Sequence, residues 1–180
     1  STARDMALLT AAALQNETFR EICGQASAKV CFGNPPYERW LTNSNKLLTM
    51  DETVIGVKTG FTDEAGRCLV SASVRNGITL ICVTLNDRND WQDHEVLYDY
   101  GFGQLSPQEV TFPADWTMPV TGGTTETAAV APAETLTVGV KDGNMPAWSY
   151  QLNTPPFLYA PLTAGQEAGT WKLLLDGRVA

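Results

Sequence analysis

Apolar and polar positions along the first hundred residues change period several times, and each change marks an element. Met6, Leu9 and Ala13 recur at helical spacing behind Thr2, which with Asp5 reads as an N-terminal cap, so a first helix is predicted to end near Asn16. Glu17 to Cys23 puts Phe19, Ile22 and Cys23 on one side of a second short helix, with Gly24 as its stop. Ala28 to Phe32 reads as a strand broken by Asn34-Pro35-Pro36, and Arg39 to Leu48 as a strand or an extended approach. The period then settles at two. Val54 to Phe61 forms one strand, and Arg67 to Val74 pairs with Ile78 to Leu85 across Arg75-Asn76-Gly77, where Asn-Gly is the strongest hairpin signal in the chain. Both arms are rich in Val, Ile and Leu, as strands inside a helix-covered sheet require. Asp90 to Phe102 returns to helix, with Trp91, Val96, Leu97 and Tyr98 as its predicted packing face.

From Ser106 the pattern becomes short β-like runs punctuated by Pro107, Pro113, Pro119, Gly122, Gly123, Pro132, Gly139 and Gly143. The last two strands are predicted at Phe157 to Leu162 and Trp171 to Leu175, with Ala164 to Gly169 as the turn between them. The predicted class is therefore α+β: residues 1–105 combine an antiparallel sheet with helices, and residues 106–180 form a small β-rich, sandwich-like domain.

Composition narrows the function classes. Hydrophobic residues are 43% of the 180, enough for a buried core, and no apolar run reaches membrane-span length. Acidic residues outnumber basic ones 20 to 12, for a formal charge of -8, and the basic residues are scattered, which argues against a nucleic-acid partner. Cys23, Cys31, Cys68 and Cys82 include no Cys-x-x-Cys pair, so neither a zinc site nor a redox pair is predicted. Cys68 and Cys82 sit in apolar runs and read as free, structural thiols, with disulfide pairing as the alternative. The chain opens at Ser1 with no signal peptide, and is expected to be a piece of a longer polypeptide.

The candidate chemistry lies in Val54 to Val70, centred on Lys58-Thr59-Gly60. An ammonium, a hydroxyl and a residue without a side chain, in succession on a strand, suit the holding of a carboxylate. The tripeptide is short enough to arise by chance, so its surroundings matter: Asn43-Ser44-Asn45-Lys46-Leu47-Leu48 stands upstream and Thr62-Asp63-Glu64-Ala65-Gly66-Arg67-Cys68-Leu69-Val70 downstream. Lys-Thr-Gly is the third element of penicillin-binding proteins and class A β-lactamases, beside Ser-x-x-Lys and a second serine-containing element. The whole block resembles the low-molecular-mass penicillin-binding proteins that are serine-type D-alanyl-D-alanine carboxypeptidases. The resemblance extends over most of the chain, from Ser1-Thr2-Ala3-Arg4-Asp5-Met6-Ala7 through Tyr98 to Phe102 and into the β-rich part.

That resemblance implies the C-terminal part of a β-lactamase/transpeptidase-like domain, followed by a β-rich domain. It implies removal of the terminal D-Ala of a peptidoglycan stem peptide through an acyl-enzyme, acylation by β-lactams, an extracytoplasmic location in the cell envelope, and neither metal nor organic cofactor. Lys58 would stand beside the nucleophilic serine, its bland alternative being a solvated surface lysine. Thr59 would bond the substrate carboxylate, or be an ordinary strand residue. Gly60 would let the substrate lie along the strand edge, or mark a bulge. The backbone N–H of Phe61 would be one of two oxyanion-hole donors. Arg88 would assist carboxylate binding, or form a surface ion pair. His94 reads as solvated surface, which leaves a Ser-His-Asp triad unsupported.

The 180 residues contain no Ser-x-x-Lys and no Ser-x-Asn; Ser44, Ser71 and Ser73 lie near the motif but none has a lysine three positions on. The chain is accordingly expected to supply the Lys-Thr-Gly wall of the site and to be inactive alone. The nucleophile would come from an N-terminal portion of the same precursor, held as a companion. The rival expectation is a non-catalytic cell-envelope interaction module with a degenerate penicillin-binding fold.

Overall fold

The computed structural model describes residues 1–112 and 115–179, and of Arg178 and Val179 the backbone alone. The chain divides into two compact units, Ser1–Gln104 and Leu105–Ala180.

The first unit contains α1 (Ala3–Ala13), α2 (Glu17–Gly24), β1 (Ser27–Phe32), β2 (Tyr37–Thr42), α3 (Leu47–Met50), β3 (Val54–Thr62), β4 (Gly66–Arg75), β5 (Ile78–Leu85) and α4 (Asp90–Gly103). The predicted cap of α1 is a full capping box: Asp5 N–H donates to Thr2 Oγ1 at 3.2 Å, and Thr2 N–H donates to Asp5 Oδ2 at 2.8 Å. Strands β3, β4 and β5 form an antiparallel sheet in that order. The β4–β5 hairpin turns through Asn76 and Gly77, both at positive φ (51° and 77°), the conformation that makes Asn-Gly the favoured two-residue loop. Period-two alternation sends β4 to two different layers. Val70 and Ala72 pack with Val57, Leu14 and Met6 beneath α1 and α2, while Leu69 packs with Leu47, Cys82, Tyr98 and Trp91 beneath α3 and α4.

Two expectations fail here. Arg39 to Leu48 is not continuously extended: β2 stops at Thr42 and α3 begins at Leu47. The side chain of Asn45 accepts the Leu47 N–H at 3.2 Å, a local bond that turns the backbone out of the strand. The packing face of α4 is also different, since Val96 and Leu97 are exposed. The buried positions are Asp90, His94 and Tyr98, with Phe102 half-buried, four residues apart and mostly polar.

The second unit contains β6 (Leu105–Val110), β7 (Thr117–Thr121), β8 (Thr127–Ala129), β9 (Leu136–Lys141), β10 (Trp148–Asn153), β11 (Leu158–Tyr159), β12 (Thr170–Leu175) and β13 (Arg178–Val179). The β6–β9 pair and the β10–β12–β13 sheet share an apolar core of Val110, Val138, Val140 and Leu173. Phe112 stacks near Trp116, Tyr150 and Trp171, with ring centroids 5.0–5.5 Å apart. The predicted strand at Phe157 to Leu162 is only the two residues of β11. It pairs in parallel with β7 rather than with β12, so Ala164 to Gly169 does not join neighbouring strands.

Candidate functional site

β3 is an edge strand among the described residues, paired only with β4. Its two halves differ in burial. Val54, Gly56 and Val57 are buried, while Lys58, Gly60, Phe61 and Thr62 are exposed and Thr59 is half-buried. In this register Lys58 lies opposite Val70, Thr59 opposite Leu69 and Gly60 opposite Cys68. A pleated strand points consecutive side chains to opposite faces. Lys58 nevertheless bends back, placing Nζ 2.6 Å from the carbonyl oxygen of Thr59, so its ammonium sits beside the backbone of the motif.

The glycines of β3 have contrasting causes. A Cβ on Gly56 would lie 2.7 Å from Cys23 Sγ, and its φ of +156° disfavours other residues, so packing within the unit accounts for this glycine. A Cβ on Gly60 would meet nothing closer than 3.8 Å, the Cβ of Cys68, and φ there is not positive. Among the described residues, no internal contact requires glycine at position 60.

Thr59 is not isolated. Its Oγ1 lies 2.6 Å from Ser44 Oγ, which comes from the Asn43–Asn45 loop between β2 and α3. Nothing in the sequence spacing singles out this contact. The signal available is the pair of asparagines flanking the serine, residues that fold turns onto themselves. Ser44 bonds no base among the described residues, so its proximity to the motif does not make it an activated nucleophile.

Phe61 is 68% exposed and lies opposite Arg67 across the ladder. Arg67 is itself engaged. Its Nε and Nη2 bond both carboxylate oxygens of the buried Asp90, at 3.1 and 2.5 Å, and its guanidinium lies 5.3 Å from the Trp91 ring centroid. Arg88 stands in the turn before α4, exposed, and makes no ion pair among the described residues. It follows β5, whose Leu85 pairs with Cys68, itself opposite Gly60, so Arg88 is at the same end of the sheet as the motif but two strands away.

His94 is fully buried, not solvated. Ser71 Oγ lies 2.6 Å from its Nδ1 and 2.5 Å from Tyr98 Oη, and Thr84 Oγ1 lies 3.1 Å from its Nε2. Burial pushes the His94 pKa down to about 4, against the opposing pull of Asp90, Asp87 and Asp93, so the ring is neutral near pH 7. One proton arrangement satisfies all four groups: Tyr98 donates to Ser71, Ser71 to Nδ1, and Nε2–H to Thr84. Ser71 is therefore committed to a structural network. All four cysteines are free; burial raises the Cys82 thiol to about 11, far from a reactive thiolate.

The comparisons with known proteins agree with one another. Residues 1–89 match the family model described as D-alanyl-D-alanine carboxypeptidase. The D-alanyl-D-alanine carboxypeptidase DacC of Escherichia coli is 33% identical across 99% of this chain, which covers 45% of that protein. DacF of Bacillus subtilis, of the same description, is 27% identical across 99% of this chain, which covers 47% of its length. The chain thus spans about half the length of the curated relatives it matches. Penicillin binding protein 5 of Haemophilus influenzae has the same fold, with a TM-score of 0.55 at 22% identity over 100% of this chain and 53% of that one. Over residues 1–89 the chain is thus similar to the D-alanyl-D-alanine carboxypeptidases, and its fold resembles that of a penicillin-binding protein.

Proposed function

We propose that this chain supplies the substrate-holding edge strand of a serine D-Ala-D-Ala carboxypeptidase. The observation that carries the reading is the exposed half of β3, where Lys58, Thr59 and Gly60 lie on an edge with no strand beside it among the described residues. A stem peptide, or a β-lactam in its place, would add along that edge. Lys58 would supply positive charge, Thr59 a hydroxyl to the carboxylate, Gly60 the room for close approach, and the Phe61 N–H one oxyanion donor. Arg88 would reach the carboxylate from the end of β5. The reading places the chain in the extracytoplasmic cell envelope.

The nucleophile is assigned to another segment, because the 180 residues carry no Ser-x-x-Lys and no Ser-x-Asn. Ser44 and Ser71 are bonded to Thr59 and to His94 and Tyr98 instead. Apolar surface supports a companion: Leu8 and Leu9 of α1 are each 62% exposed, Ile22 of α2 65% and Trp40 of β2 70%. The absence of both serine elements equally favours a second reading, a non-catalytic envelope module. Intact mass spectrometry with benzylpenicillin separates them. A penicillin adduct on a co-purifying Ser-x-x-Lys segment, and none on this chain, is the expected result. In that assembly Lys58→Ala should slow acylation at least about 100-fold, the scale of losing one transition-state electrostatic contact. An unmodified, solitary 180-residue species would overturn the enzyme reading in favour of the module.

A further inference from the structure

The contact between Ser44 and Thr59 is held from both sides. Asn43 donates its side-chain amide to the carbonyls of Cys23 and Gln25, at 3.3 and 3.0 Å, and its backbone N–H to Ala26 at 2.8 Å. Its Oδ1 accepts the Asn45 N–H at 2.9 Å. Asn45, 2% exposed, accepts the Leu47 N–H, and Leu47 is fully buried in the core. Two asparagines thus pin the loop to α2 and α3, and the serine between them is exposed and turned onto the Thr59 hydroxyl.

Each hydroxyl has a single proton, which determines what that bond does. An ionised carboxylate only accepts. For Thr59 to donate to one, Thr59 must receive its other hydrogen bond rather than spend its proton on Ser44. Ser44 must then donate to Thr59, which leaves the Thr59 proton free to point at the anion. The reverse orientation would turn an oxygen lone pair toward the carboxylate.

We propose that Ser44 is a positioning residue that donates to Thr59 and so orients the Thr59 hydroxyl as a donor to a carboxylate ligand. The proposal rests on the reading that the exposed half of β3 binds a carboxylate, and it adds a selectivity that a merely structural bond would not confer. A ligand offering a neutral amide at the same place can present either a donor or an acceptor to Thr59, so its binding does not depend on which way the Ser44 proton points.

The test is an NMR titration of the chain with N-acetyl-D-alanine and, separately, N-acetyl-D-alaninamide, following the amides of residues 58–61. The acid should bind in preference to the amide. Ser44→Ala should weaken the acid roughly three- to ten-fold, the effect of one neutral hydrogen bond, and leave the amide unchanged. Ser44→Thr, which keeps the hydroxyl, should restore acid binding. The double variant Ser44→Ala/Thr59→Ala should bind the acid no more weakly than Thr59→Ala alone, because Ser44 acts through Thr59. Equal weakening of acid and amide by Ser44→Ala would reduce the contact to a structural staple and overturn the proposal. Unchanged acid binding in Ser44→Ala, with weakening in Lys58→Ala and Thr59→Ala, would overturn it too while sparing the carboxylate reading. A wild-type chain that does not distinguish acid from amide would overturn both.

Discussion

β3 and β4 are hydrogen-bonded neighbours along one ladder, from Val54 opposite Ser73 to Thr62 opposite Gly66, yet burial divides them. Leu69, Val70, Ser71, Ala72 and Ser73 of β4 are buried without interruption, with helices on both faces. β3 is buried only as far as Val57, and then presents Lys58, Gly60 and Phe61 outward. The two strands share backbone bonding, so the difference lies in what their side chains do. Those of β4 hold the sheet to its helices, and those of the second half of β3, Lys58 and Phe61 among them, are open to solvent. Substitutions in β4 should accordingly change stability, and substitutions beyond Val57 should change binding.

The largest effect is expected at Leu69, fully buried against Leu47, Val54, Cys82 and Tyr98. Leu69→Ala removes its transfer free energy and leaves a cavity, a loss of about 2–5 kcal/mol. Urea denaturation should show a lower midpoint with an unchanged slope. A loss below about 1 kcal/mol, well under the range for a buried leucine, would mean that β4 is not the structural strand of the pair.

A smaller, pH-dependent effect tests the polar side of β4, where Ser71 meets His94. The folded pKa of His94 is depressed to about 4 from 6.5, so protons bind the unfolded chain first as pH falls. The stability contributed by the neutral ring is intact above about pH 6.5 and is lost progressively down to about pH 4. Between pH 7.5 and 5 the loss should be about 2 kcal/mol, since one pKa unit is worth about 1.4 kcal/mol. Urea midpoints at the two pH values measure it. His94→Gln, whatever its absolute stability, should flatten the dependence in that window; an undiminished slope would assign it to other groups.

How far these features are legible in the sequence follows from how local their causes are. The capping box at Thr2 and the Asn76-Gly77 hairpin depend on residues within a few positions, and the structure has both. That Lys58-Thr59-Gly60 lies on a strand follows from period-two patterning, whereas its place at the sheet edge depends on the strand order β3-β4-β5, which no local pattern carries. The buried face of α4 escapes an apolar pattern because Asp90 is buried by a bidentate Arg67 and His94 by Ser71 and Thr84, partners at least 10 positions away. Ser44 escapes it for the same reason: its partner is 15 residues on, and the loop that delivers it depends on Asn43 reaching back to Cys23 and Gln25. β11 pairs with a strand nearly 40 residues earlier, and two-residue pairings carry too little pattern to be read.

The smallest stability effect discriminates most sharply between the two strands. At Gly60 an added methyl would sit 3.8 Å from the Cys68 Cβ, an ordinary contact, with no positive φ to oppose it. Alanine restricts the unfolded chain more than glycine does, so Gly60→Ala should leave stability unchanged or raise it, by up to about 1 kcal/mol. If β3 is structural throughout, this is a neutral or mildly stabilising change with no further consequence, and glycine at that position has no physical reason. If its exposed half receives a ligand backbone, the methyl occupies the space the ligand needs. Binding of N-acetyl-D-alanine should then fall about 10-fold or more, the cost of a steric clash on the order of 1.4 kcal/mol, while the thermal midpoint holds or rises. Equal binding by Gly60→Ala and the parent chain would show that the edge is not a docking surface, and β3 would differ from β4 only in exposure.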